Sequence, residues 1–166
     1  MAWTRKRNKY SKPKKAYDKV RIEEENVLVE KYGLKNKKEI WKAESKIKRI
    51  RDQAKKLITA SVEEQEKLIS KLNSLGLKVK TTADVLELNK EDLLKRRLQS
   101  VLILNNMAKP KEARQLISHK HIRINDKVVN IPSYLVELAE EKNIRITRKT
   151  KEMRDLEKKE KENGKQ

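Results

Sequence analysis

Cysteine and phenylalanine are absent from this 166-residue chain, glycine and proline occur three times each, and histidine twice. Each scarcity excludes a class of chemistry. Without cysteine there is no disulfide framework, thiolate zinc site, iron–sulfur cluster or thiol nucleophile. Gly33, Gly76 and Gly164 stand alone, whereas a phosphate-cradling P-loop or a dinucleotide-binding turn needs several glycines in one short loop. The longest apolar run, Val101–Leu104, is far too short to span a bilayer. The first residues lack the apolar stretch of a secretory signal. Two tryptophans and four tyrosines are too few for a base-stacking platform, and no RNP-type motif is present.

Positive charge is abundant. Lys and Arg number 44 against 25 Asp and Glu, giving a formal net charge of +19 and a pI near 10.0. The potential around such a chain favours a polyanionic partner, with nucleic acid ahead of an anionic membrane surface.

The charge is unevenly distributed. In residues 1–21, Arg5, Lys6, Arg7, Lys9, Lys12, Lys14, Lys15, Lys19 and Arg21 face only Asp18, and Trp3, Tyr10 and Tyr17 interleave with them. Residues 1–34 therefore read as a basic extended arm. It is either a solvated tail or a segment that orders on a phosphate backbone, and a nuclear-localisation signal fits the same residues. Residues 35–93 read as a helical subdomain. Lys35 to Ile58 forms a long helix, with Asn36 as N-cap and Glu39 as its reciprocal partner. Ile40, Ala43, Ile47, Ile50, Ala54 and Leu57 make its apolar face. Lys38, Lys42, Lys46, Arg49 and Lys56 fall roughly opposite, free to meet phosphates. A coiled coil with a solvated basic face fits less well, because the pattern lasts under three heptads and lacks mixed-sign flanking pairs. Ser61 and Glu64 form a capping box for a second helix, closed by Gly76 and Leu77 in a Schellman motif.

Residues 94–149 read as a compact α+β module. Asn89 and Asp92 start a helix through Leu94, Leu98, Val101 and Leu102 that ends at Asn105–Asn106. Pro110 opens the next, with Ala113, Leu116 and Ile117 buried and Lys111 and Arg114 outward. His119 and Lys120 end it. The apolar period then changes from 3.6 to 2. Ile122–Ile124, a turn at Asn125–Asp126 and Lys127–Val129 read as a β-hairpin, and Ile144–Thr147 as a further strand. Residues 150–166 read as a charged, mobile tail.

The stretches Arg96-Arg97-Leu98-Gln99, Glu112 to Asn125 and Val128 to Tyr134 resemble the RNA-binding domain named after small-subunit ribosomal protein four. Tyr32 to Ser45 and Asp84 to Leu88 are similar to the helical region of that ribosomal family, in its archaeal/eukaryotic-type branch. The zinc-binding cysteines of some bacterial members are missing. The resemblance implies a structural component of the small subunit that binds small-subunit ribosomal RNA at a multi-helix junction, early in assembly. It further implies a position beside neighbouring small-subunit proteins, near the channel through which mRNA enters. It places Arg97, Lys111, Arg114, His119, Lys120 and Lys127 on the RNA face. Asp126 stands where the family's hairpin turn usually has glycine, so the tip is expected to approach phosphates less closely.

Nothing points to catalysis. His119 and His121 are expected to diverge across a helix–strand boundary, with no cysteine to complete a metal set. Asp84, Glu87, Glu91 and Asp92 read as two helix-start acids and two solvated ones rather than a two-metal cluster. No nucleophile elbow occurs. The expected protein is a non-enzyme with no catalytic residue, cofactor, metal, small-molecule substrate or membrane partner. The alternative is a free-standing RNA chaperone or ribosome quality-control factor built on the same module. Retention on small subunits through a high-salt wash separates the two.

Overall fold

The structure is a computed structural model and describes residues 9–147. The expected arm residues Arg5, Lys6, Arg7 and Trp3, and the expected tail over 150–166, lie outside the described residues. Within the expected extended arm, residues Lys19–Tyr32 instead form a 14-residue helix, α1. Its cause is an inward stripe that the surrounding charge conceals: Glu25, Leu28 and Tyr32 are buried. Glu25 accepts hydrogen bonds from Arg21 and from the Trp41 indole, both at 2.8 Å. The helix stops at Gly33, whose φ of 59° is the left-handed value of a C′ glycine.

The next helix, α2, spans Lys38–Leu57 and buries Ile40, Ala43, Ile47, Ile50 and Ala54, the expected stripe. The Asn36 carboxamide accepts from the Lys38 N–H at 2.9 Å. Glu39 does not return to that cap, because two arginines of the module hold it. Helix α3, Val62–Ser74, begins at Ser61 without the expected side-chain cap bond. It ends as expected: Gly76 has φ 77°, and the Leu77 N–H donates to the Leu72 carbonyl at 3.0 Å.

Two short helices follow, α4 over Thr82–Glu87 and α5 over Lys90–Lys95, each opened by a capping box, Thr81 with Asp84 and Asn89 with Asp92. The single helix expected from Asn89 to Asn105 is broken. Arg97 is extended (φ −74°, ψ 143°) before α6 begins at Leu98 and runs to Leu104. The break has a partner strand: Arg97 bridges Leu135, the Leu98 N–H donates to the Tyr134 carbonyl at 2.7 Å, and the Val136 N–H to that of Arg96 at 2.9 Å. Asn106 then takes the expected left-handed backbone, φ 54°.

Helix α7, Pro110–Ser118, carries proline at its first position and buries Ala113, Leu116 and Ile117. Strand β1 (Ile122–Ile124) turns through Asn125 (φ 47°) and Asp126 (φ 65°) into β2 (Lys127–Val128). Both turn residues are left-handed, the type I′ geometry that matches strand twist. After a one-turn helix, α8 (Leu138–Glu141), β3 (Ile144–Ile146) pairs antiparallel with β1, so the sheet order is β2-β1-β3.

Two hydrophobic clusters result. One joins α1 to α5 and ends at Leu94, and the other begins at Leu98 and joins α6, α7 and the sheet. Each fully buried Leu or Ile, such as Ile40, Leu98 or Ile122, contributes about 1.5–3 kcal/mol. The architecture is α+β, mostly helical.

Candidate nucleic-acid interface

Because α2 buries one stripe, its opposite face is fixed in water. Lys38, Lys42, Lys46, Arg49 and Lys56 are all exposed there. Lys42, Lys46, Arg49 and Lys56 have no ion pair among the described residues. Withdrawal from water, and then repulsion from Lys71 of α3, lower the pKa of the Lys46 amine. A favourable counter-charge is what this face lacks.

Residues 9–18 lie along the same side rather than extending freely. The Tyr10 ring sits 6.1 Å from the Trp41 ring, and the Ser11 N–H donates to the Ser45 hydroxyl at 3.1 Å. Arg21 clamps the carbonyls of Lys15 and Ala16 at 2.9 and 3.0 Å. Lys9, Lys12, Lys14 and Lys15 are therefore exposed cations on a tethered segment. Lys9, Lys42 and Lys46 line both a cleft of about 450 Å³ against the module and a groove of about 790 Å³ between α2 and α3.

In the module, Lys111, His119, Lys120 and Lys127 are exposed as expected. Arg97 and Arg114 are not outward. Arg97 is only 5% exposed and ion-paired to Glu39, while Arg114 is half-buried and donates to the other Glu39 oxygen at 3.0 Å. Burial alone would raise the Glu39 pKa, but the bonds from Arg97 and Arg114 outweigh it and hold the carboxyl below its ordinary value. Fully buried Gln99 completes the joint. Its amide nitrogen donates to the Gly33 carbonyl at 2.7 Å and the Pro110 carbonyl at 3.0 Å, and its oxygen accepts from Arg114 at 3.3 Å. These two arginines fasten the module to α2 and so position the exposed cations. Their inward pairing follows from the placement of Glu39 on the α2 flank that meets α7, which helical spacing does not reveal.

The rings of His119 and His121 do not diverge. They lie 6.3 Å apart with planes 13° from parallel, because Lys120 takes φ 62° and turns the chain back. Among the described residues, no group of three or more His, Cys, Asp or Glu is placed to hold a metal ion, and no helix is long and apolar enough to cross a membrane.

Three further cations join the surface. Arg123 of β1 is paired in register with Arg145 of β3, and both point out to solvent. Like charges facing each other across strands are unfavourable unless an anion lies over them. The repeated Ile-Arg-Ile of Ile122–Ile124 and Ile144–Ile146 is the signal, since period-2 alternation turns both arginines to one face. Lys71 of α3 lies across the groove from α2 and has no sequence signal of its own.

Residues 96–142, which contain α6, α7, the hairpin and α8, match the S4 domain. The small ribosomal subunit protein uS4 of Picrophilus torridus is 43% identical over 148 residues, covering 83% of this chain and 81% of that protein. That of Methanosphaera stadtmanae is 43% identical over 146 residues (83% and 80%), and that of Methanococcus aeolicus 46% over 140 residues (80% and 79%). An S4 domain held by arginine–glutamate pairs against a basic helical half, at this identity over four-fifths of each relative, places the chain in the small ribosomal subunit protein uS4 family.

Proposed function

We propose that this protein is a structural, non-catalytic component of the small ribosomal subunit in the cytoplasm. It binds small-subunit ribosomal RNA through two surfaces. One is the α2 face with Lys38, Lys42, Lys46, Arg49 and Lys56, flanked by Lys9, Lys12, Lys14 and Lys15. The other is the module face with Lys111, His119, Lys120, Lys127, Arg123 and Arg145. Arg97 and Arg114 act as positioning residues through Glu39. The exposed row on α2 without counter-ions carries this reading. It serves no purpose in holding the fold, because cations facing only water and one another add repulsion.

Binding is then mainly electrostatic, with counterions released from the RNA as lysines and arginines meet phosphates. Cations carried on two separate structural units, α2 and the module, suit a folded RNA with several helices better than a single duplex, in keeping with recognition of a multi-helix junction early in assembly. Neighbouring small-subunit proteins, and mRNA near its channel of entrance, are further partners under this reading.

Titrating salt against affinity for a junction transcript tests it. About 10 phosphate contacts give a loss of roughly 10³–10⁵ between 50 and 200 mM salt. Replacing Lys42, Lys46 and Arg49 by Ala flattens the log–log slope by about 2–3. An affinity indifferent to salt, or an unchanged slope in the triple variant, overturns the assignment. Release of the native protein from small subunits in a high-salt wash would favour a free-standing factor.

A further inference from the structure

The groove between α2 and α3 is unlike the rest of the basic surface. Its rim carries Lys46, Arg49 and Lys56 on one side and Lys71 on the other, and no Asp or Glu lines it. Its floor includes Leu57, Leu68 and Leu75, all half-buried and still open to solvent. Leucine is a poor partner for phosphate. A paired duplex presents only its sugar–phosphate backbone to such a groove and would leave the floor unused. At about 790 Å³ the groove has the capacity of a small-molecule site.

The groove also runs on from the proposed RNA surface, because Lys9, Lys42 and Lys46 line both it and the cleft beside the module. An RNA strand following the α2 cations therefore arrives at an apolar recess ringed by positive charge. Lys46 and Lys71 repel each other across the recess, and an anion seated between them would relieve that repulsion.

We propose that this groove receives one or two unpaired ribonucleotides turned out of a helix, with base or ribose against the leucines and phosphates on the rim. The inference rests on the RNA-binding reading and adds the class of RNA element taken. The floor is apolar and Gln53 is the one uncharged polar side chain among the described residues of the lining, so recognition is mainly by unpairedness rather than by base identity.

The test uses the full chain and two RNA hairpins with the same stem. One is fully paired, and the other carries a two-nucleotide bulge with 2-aminopurine in one position and, in a parallel preparation, 4-thiouridine. The bulged hairpin should bind about tenfold more tightly, the gain expected from burying roughly 50–60 Å² of apolar surface against the leucines, with a change in 2-aminopurine emission. Photocrosslinks should fall on residues of α2 and α3. Leu68→Ser with Leu75→Ser should abolish the preference while affinity for the paired hairpin holds, even though the thermal midpoint falls by a few degrees with the loss of half-buried leucine. If that variant misfolds, the crosslink position in the native sequence decides. Equal binding of both hairpins, or crosslinks elsewhere, overturns this inference and leaves the RNA-binding reading standing. Binding of neither hairpin overturns that reading itself. Protection of α3 from amide exchange by an acidic amphipathic peptide, and not by the bulged RNA, would assign the groove to a protein and overturn the inference.

Discussion

Glu39 and Arg114 lie 75 residues apart in the chain, yet the Arg114 guanidinium donates to the Glu39 carboxylate at 3.0 Å. The other carboxylate oxygen takes Arg97, so one acid on α2 pairs with two arginines of the S4 module. Neither hydrophobic cluster could fix the other's orientation alone, because apolar contact is non-directional, whereas paired guanidinium–carboxylate bonds set angle as well as distance.

Removing that acid should therefore cost more than a surface ion pair. Glu39→Ala leaves buried Arg97 uncompensated, and stability should fall by about 3–5 kcal/mol. A urea midpoint at the native value would show that the joint contributes nothing. RNA affinity should fall in parallel, since the two cationic surfaces lose their fixed relation.

Acid should weaken the fold through the same group and through Glu25. For Glu25, too, burial would raise the pKa, but bonds from Trp41 and Arg21 and the charges of Arg21 and Lys37 bring it below the ordinary 4.5. A carboxyl whose folded pKa is depressed stabilises fully above its unfolded pKa, and that contribution is lost as pH falls through the folded value. The thermal midpoint should hold from neutrality to about pH 5 and decline below it. In a Trp3→Phe background, Trp41 emission should change over the same acid window, because its indole N–H donates to Glu25 at 2.8 Å. Glu25→Gln should reduce the acid dependence, and an unaltered profile in that variant would remove Glu25 from the account.

The two structured glycines should differ in tolerance. A Cβ on Gly33 would stand 2.6 Å from the Pro110 Cβ and 2.8 Å from the Gln99 amide nitrogen, in the joint itself. On Gly76 it would meet the guanidinium of Arg96 at 2.8 and 2.9 Å, the end of a long side chain that can yield only by loosening its bonds to Glu141 and the Val136 carbonyl. Both Ala substitutions incur about 1–2 kcal/mol of left-handed strain. Gly33→Ala should be the more destabilising, and the reverse order in thermal melts would contradict this packing.

At the hairpin tip, Asp126→Gly should both relax the backbone and strengthen RNA binding. Asp126 holds φ 65°, and its pair with Arg145, at 3.9 Å with both side chains exposed, contributes little. Relief of left-handed strain, offset by the entropy of a new glycine, leaves a gain of roughly 0.5 kcal/mol. Affinity for junction RNA should rise, because a carboxylate leaves the face that carries Arg123, Lys127 and Arg145. Weaker binding would place the tip away from the RNA.

What could be read beforehand follows from the range of each interaction. The α2 and α7 stripes, the Gly76 stop and the Asn125–Asp126 turn are set by neighbours a few residues away, and composition and spacing expose them. Helix α1 is hidden because its inward stripe of Glu25, Leu28 and Tyr32 includes a buried acid, the last of three consecutive glutamates, in place of an apolar residue. Arg97 and Arg114 read as RNA contacts because Glu39, 58 and 75 residues distant, reaches them only in the folded chain. The α2 cations were legible for the converse reason: the buried face of one helix dictates its exposed face. Lys71 joins them only once α3 packs beside α2, which no local pattern announces.

The order β2-β1-β3 leaves rims of only two and three residues, and Lys127 and Arg145 stand on them. An incoming strand finds too few open amides and carbonyls to pair with, and a second copy of the same sheet is repelled by its own cations. Newly made chains thus gain protection from self-templated stacking during the interval before they meet their transcript, when a long bare sheet border would be most hazardous.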